Sequence, residues 1–336
     1  MNQKFSAFED ADMDRIRFGL RPIRAEFKAA YRQFLLWGLL AVIFASGLVY
    51  FLPIIPFLFR VLLWLILAGS GTAVAYRRLG AVSKRAQAIV QPLVLEPFGL
   101  EYTGNPGHRV KDSPFDLLGM LPEGERIAYH RRYERARPQS LAIQEIQVEE
   151  FQLNAQRPTR GNDIRHMRTK FLGQGMEAKI ANYDGISFLL APRRTPINSL
   201  QIDARNKYLR APFLRTKLPE SRISNTFQVW LPEPCANQAE FSPELADAAL
   251  DVAETFSPNR VWLSVVVRPG ETSIFRLATE IGSLYRDESG AMAPVDEDVI
   301  RNFHCKVARL MWSYERMMTA FKPASAQSSN DPTTGT

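Results

Sequence analysis

From Phe34 to Tyr76 the chain is apolar at nearly every position and carries one charge, Arg60, in 43 residues. A single helix of that length would extend about 65 Å, about twice the hydrocarbon thickness of a bilayer. Pro53 and Pro56 stand near its middle, where proline removes a backbone donor and disfavours helix at the residue before it. The pattern therefore predicts two membrane spans, 34–52 and 57–76, joined by a loop of a few residues. A secretory signal peptide fits poorly, because the apolar part starts late, runs long and is followed by a second span. A buried hairpin in a soluble core is the remaining alternative. Neither span holds an ionisable residue near its middle, so no ion or proton path is visible.

The period changes on both sides of this run. Phe18, Leu20, Ile23, Phe27, Ala30, Tyr31 and Phe34 recur at helical spacing with arginines between them, which predicts an amphipathic helix over 1–33. Pro22 interrupts that pattern and is a place for the helix to divide. The segment either lies on the inner membrane face, packs on the soluble part, or continues into the first span. After the second span, 77–97 reads as a juxtamembrane helix ending near Pro92 or Pro97. Within the spans, Ala41 with Ala45 and Gly69 with Ala73 place small residues one turn apart, which permits close helix contact. Trp37, Tyr50, Phe51 and Tyr76 suit the interface, and Arg60 is expected to snorkel toward water.

Beyond residue 98 short alternating runs predominate. Strands are predicted at 140–153 (a helix being the alternative there), 167–182, 185–192 and 226–232, with a turn at Tyr183-Asp184-Gly185. Ser242-Pro243 opens a helix with serine at the cap and proline in its first turn. Leu245, Ala249, Val252 and Phe256 form its buried stripe. Residues 260–267 and 272–278 make a hairpin around Arg268-Pro269-Gly270-Glu271, and a last helix spans 296–321. The order of elements predicts an α+β fold: a two-helix transmembrane hairpin followed by a mostly antiparallel sheet domain, 98–322, with packed helices. A polar tail, 323–336, is expected to be disordered.

Charge sets the orientation. Arg15, Arg17, Arg21, Arg24, Lys28 and Arg32 precede the first span, and Arg77, Arg78, Lys84 and Arg85 follow the second. Positive flanks stay on the cytoplasmic side, which predicts a multi-pass membrane protein with both termini in the cytoplasm. The formal net charge of +7 is read in the same way, as membrane orientation rather than nucleic-acid binding. Two cysteines, Cys235 and Cys305, give no disulfide framework.

Candidate chemistry is sparse. Gly173-Gln174-Gly175-Met176-Glu177-Ala178 matches the spacing of a dinucleotide fingerprint, but that fingerprint works only between a buried strand and a helix of useful length. Here Asp184-Gly185 follows too soon. His108, His130, His166 and His304 do not pair at metal-ligand spacing, and no nucleophile elbow, P-loop or His-Glu-x-x-His occurs. No catalytic residue, cofactor or metal is therefore assigned. The basic stretches 130–138 and 157–168 suit anionic headgroups or an acidic protein partner, with a solvated loop as the plain alternative.

Three stretches together resemble a bacterial membrane-protein family catalogued as domain of unknown function 3137. They are the N-terminal two-span hairpin, "KFLGQGMEAKIANYDGISFLLAP" (170–192), and residues 225–278 with their short strand, Ser-Pro helix start and closing hairpin. The sequence departs from the family at 235–240, where Cys235-Ala236-Asn237-Gln238-Ala239-Glu240 stands in place of an Ala-Arg pair, and over 105–166. The resemblance implies an architecture and no activity. The expected function is a membrane-anchored cytoplasmic binding or scaffolding protein whose partners are the bilayer and a membrane or cytoplasmic protein. The alternative is an enzyme acting on a lipid or membrane-protein substrate.

Overall fold

Two long helices lead the chain. The computed structural model describes residues 10–51, 56–104, 126–135, 143–156, 167–180, 183, 185–193, 213–216, 222–235, 241–257, 260–267, 272–280 and 296–321. Helix α1 is Asp10–Phe51 and α2 is Phe57–Leu95. Strands β1 (Leu100–Gly104), β2 (Arg126–Arg135), β3 (Ile143–Gln156), β4 (Met167–Ile180), β5 (Phe188–Pro192) and β6 (Phe213–Thr216) follow. The chain continues with α3 (Arg222–Thr226), β7 (Phe227–Pro232), α4 (Pro243–Phe256), β8 (Val261–Val266), β9 (Ser273–Thr279) and α5 (Glu297–Ala320). The fold is α+β, with one long apolar N-terminal helix and an antiparallel sheet with packed helices. Two compact units are formed, Met1–Val94 with Tyr285–Cys305, and Leu95–Leu284 with Lys306–Thr336.

In the first unit, α1 runs unbroken through Pro22, so the expected division there does not occur. Pro22 lies on the exposed side of the helix, where the carbonyl it frees stays open to solvent. The buried stripe passes it undisturbed as Met13, Ile16, Leu20, Ile23 and Phe27. Pro92, also exposed, is tolerated in α2 for the same reason. The buried face of α2 is Leu79, Val82, Ala86, Val90 and Val94.

The second unit is a nine-stranded sheet in the order β1-β2-β3-β4-β9-β8-β5-β7-β6, with every neighbouring pair antiparallel. Alternation along the strands sorts its side chains into two faces. One face is apolar: Val148, Met176, Ala178, Phe275, Leu277, Leu263, Val265, Phe188, Leu190 and Val229 are all buried. Phe275 stacks edge-on against Phe321 at the end of α5, and Phe188 against Phe241 just before α4. Arg316 of α5 reaches Asp251 of α4 at 2.7 Å, so these two helices lie side by side. The cap of α4 is as the sequence predicts: Ser242 Oγ accepts from the Leu245 N–H at 3.1 Å, with Pro243 in the first turn.

Several boundaries move. The strand expected at 140–153 is β3, Ile143–Gln156, and the one expected at 226–232 begins after a short helix that takes up Thr226. Residues 130–135 of the basic stretch are strand β2 rather than a loop, paired to β3 with Tyr133 opposite Val148. Strands β1 and β6 were not foreseen, since both are short edge strands with weak alternation. The loop at 52–55, Asp184, the basic stretch 157–166, the turn 268–271 and the tail 323–336 lie outside the described residues.

Gly173 shows why β4 needs a glycine. A Cβ placed there would meet the Thr279 carbonyl oxygen of β9 at 1.9 Å. The neighbouring backbone therefore approaches too closely for any side chain. Gly173→Ala is expected to force the β4 and β9 backbones apart and lower stability by about 2–4 kcal/mol. Thermal unfolding of the detergent-solubilised chain measures this, and an unchanged midpoint would contradict the close approach.

Candidate membrane-facing surface

The surface that stands out in the first unit is apolar and uncovered. Of the 21 large hydrophobic side chains exposed among the described residues, 18 lie between Leu35 and Tyr76. They are 40% to 79% exposed and include Leu36, Trp37, Ile43, Phe44, Leu58 and Ile66. Isolated exposed apolar residues are ordinary, but a contiguous belt of this size is not. One described helix, over Met13–Gly47, is long and apolar enough to cross a membrane, and 6% of its apolar window is buried. In α2 a shorter apolar stretch spans Phe57–Ile66.

The contacts between α1 and α2 fix which levels face each other. A Cβ at Gly19 would touch Ile89 and Leu93, Glu26 pairs with Arg85 at 2.8 Å, and a Cβ at Gly38 would meet Thr72 at 3.7 Å. Trp64 Nε1 donates to Ser46 Oγ at 3.2 Å. As the residue number rises along α1, its partner's number falls along α2, so Arg32 lies level with Arg77 and Arg78. At that level the character of both helices changes. Below it the inner faces are buried stripes; above it the side chains are apolar and exposed.

Two polar side chains inside the belt donate to groups within it. Besides the Trp64–Ser46 bond, Thr72 Oγ1 donates to the Gly69 carbonyl at 2.9 Å. Internal satisfaction is what a water-free medium demands. Ala45 is fully buried, in keeping with a close contact, whereas the Gly69–Ala73 pair does not serve as one. Nothing lies within 4 Å of a Cβ at Gly69, and Ala73 is exposed. Gly38 facing Thr72 takes that place, a pairing invisible without the helix register. Trp37, Tyr50 and Tyr76 are exposed, and Arg60 lies in α2, its side chain outside the described residues.

A second polar feature ties α5 to α1. Glu297 receives Arg17 Nη2 at 2.8 Å, Arg17 Nε at 3.0 Å and Arg24 Nη2 at 3.1 Å. Arg17 and Arg24 are seven residues apart and so share one face of α1. Hydrogen bonds from Arg17 and then Arg24 pull the Glu297 carboxyl down to about 2 from its ordinary 4.5, and the Arg17 guanidinium is raised in turn by Glu297 and Asp14. Asp296 Oδ1 accepts the Asp298 N–H at 3.0 Å and starts α5 there.

In the second unit the other sheet face carries a polar row among the buried Trp262, Val266, Ile274 and Ala278. Gln147, Glu177, Arg276 and Ser264 stand opposite one another across β3, β4, β9 and β8. Arg276 Nε donates to Glu177 Oε2 at 2.7 Å, and Gln147 Nε2 to Glu149 Oε1 at 2.5 Å. This is a cross-strand ion pair with its own neighbours, not a nucleophile–base arrangement. The whole Gly173–Ala178 motif lies inside β4, and among the described residues no helix N-terminus follows it to hold a pyrophosphate. Among the described residues no group of three or more His, Cys, Asp or Glu is placed to hold a metal ion. His304 and Cys305 lie in α5, and Cys235 in a short 3-10 turn after β7. Both cysteines are free thiols.

No family model matches the chain, and neither a curated protein nor a solved structure does.

The Glu297 carboxyl titrates below its ordinary value, so its ion pairs stabilise the fold fully above pH 4.5 and are lost as pH falls through about 2. Glu297→Gln should lower the thermal midpoint near neutral pH by a few degrees and leave it unchanged near pH 2. Unfolding scans across that range check it; an equal loss at both ends would contradict the assignment.

Proposed function

We propose that α1 and α2 form a transmembrane hairpin that anchors the sheet unit at the cytoplasmic face of a bacterial inner membrane. In this reading the protein is a binding or scaffolding protein, and tethering raises its effective concentration toward membrane partners. The observation that carries the reading is the belt of exposed apolar side chains between Leu35 and Tyr76. Half-burying 18 such side chains is worth on the order of 10 kcal/mol or more, comparable with the whole net stability of a domain. A medium other than water is what makes that surface affordable.

Length supports two crossings. The stretches 34–51 and 57–76 would each extend about 27–30 Å as helix, close to the hydrocarbon thickness. The basic residues gather at one end of both, which suits an arrangement with both termini in the cytoplasm. The resemblance to the family of domain of unknown function 3137 agrees with this architecture and adds no activity. A membrane or cytoplasmic protein is the partner proposed for the sheet unit.

The test is made in two steps on the full chain. Membranes from an expressing bacterium are washed with alkaline carbonate; the protein should stay in the pellet until detergent is added. Release into the aqueous fraction would overturn the anchor. In-cell crosslinking should then capture the same protein repeatedly, and capture of none across growth conditions would overturn the scaffolding role.

A further inference from the structure

The proposed anchor leaves unexplained five exposed cations at its base that make no ion pair among the described residues. They are Lys28, Arg32, Arg77, Arg78 and Lys84. Three acids on or against these helices are already engaged: Glu26 with Arg85, Asp14 with Arg17, and Glu297 with Arg17 and Arg24. The sequence contains no Asp or Glu at all from residue 27 to residue 95. Seven cations occupy that stretch, and five of them are these.

Their placement is as telling as their charge. The α1–α2 contacts put Arg32 level with Arg77 and Arg78, and Lys28 close to the level of Lys84. At 1.5 Å per residue the five span about 10 Å along the helix pair, on both helices. The headgroup zone on one side of a bilayer is about 5–8 Å deep, and long lysine and arginine side chains reach across the remainder. The zone ends at the level where the exposed apolar belt begins. An ammonium or guanidinium there, with no carboxylate to neutralise it, is matched by phosphate oxygens.

We infer that these five residues form a collar that binds the headgroups of anionic phospholipids. The inference rests on the membrane-anchor reading. The collar selects lipid by charge, holds the hairpin at a fixed depth, and is screened by salt as an exposed cluster must be. Arg15 and Arg21 are exposed cations too, but lie about 21–30 Å below the belt along α1, beyond the reach of headgroups at ordinary ionic strength.

The experiment uses the full chain reconstituted in phosphatidylcholine vesicles containing traces of spin-labelled phosphatidylglycerol or spin-labelled phosphatidylcholine. The fraction of each label that is motionally restricted gives the selectivity. The collar predicts that phosphatidylglycerol is favoured by about threefold or more at 0.1 M salt, and nearly equally at 1 M. The variant K28Q/R32Q/R77Q/R78Q/K84Q should abolish the preference while remaining in the bilayer, and R15Q/R21Q should keep it. Equal restriction of both lipids by the native chain, or the same loss in both variants, would overturn the collar while leaving the anchor standing. A chain that carbonate strips from the vesicles would overturn the anchor itself, and the collar with it.

Discussion

The apolar surface left uncovered between Leu35 and Tyr76 is the constraint on which the structure depends. A soluble fold would have to cover it, and the described residues do not. On the same two helices, Met13 to Phe27 and Leu79 to Val94 show ordinary packing, with buried stripes at helical spacing. One pair of helices therefore changes surface character partway along its length. The change falls at Arg32 on one helix and at Arg77 and Arg78 on the other, and the helix register brings those residues level. Sequence pattern, burial and charge thus mark the same boundary by three independent routes.

The sheet unit follows a different logic. Its apolar face is closed by α4 and α5, which are held side by side by Arg316 and Asp251. Its other face carries the Glu177–Arg276 pair across strands, with Arg276 buried and Glu177 half-buried. Loss of Glu177 would leave the buried Arg276 an uncompensated charge. The pair therefore reads as part of the framework.

Long-period signals were legible in the sequence. The Ser242-Pro243 start, the stripe of α4, the β8–β9 pair and the last helix all follow from local pattern, because each buries a face whose period matches its own geometry. Local pattern failed where tertiary contacts decide. Pro22 looks like a breaker, yet it sits on the one side of α1 that tolerates a missing hydrogen bond. Residues 130–135 look like a basic loop, but pairing with β3 draws them into the sheet. Gly173 has the spacing of the first glycine of a dinucleotide fingerprint; in the structure it lets β9 come close. The collar is legible only in part. The missing acids can be seen in the sequence, but the alignment of Arg32 with Arg77 needs the helix register.

The most direct test of the hairpin is a pair of reporters on the full-length chain, one at each end. A fluorescent protein that folds only in the cytoplasm and a phosphatase active only in the periplasm are fused in turn to each terminus. Two crossings predict cytoplasmic signal at both ends and phosphatase activity at neither. Phosphatase activity at the carboxyl end, with the amino end cytoplasmic, would mean a single crossing by α1 and would contradict the account.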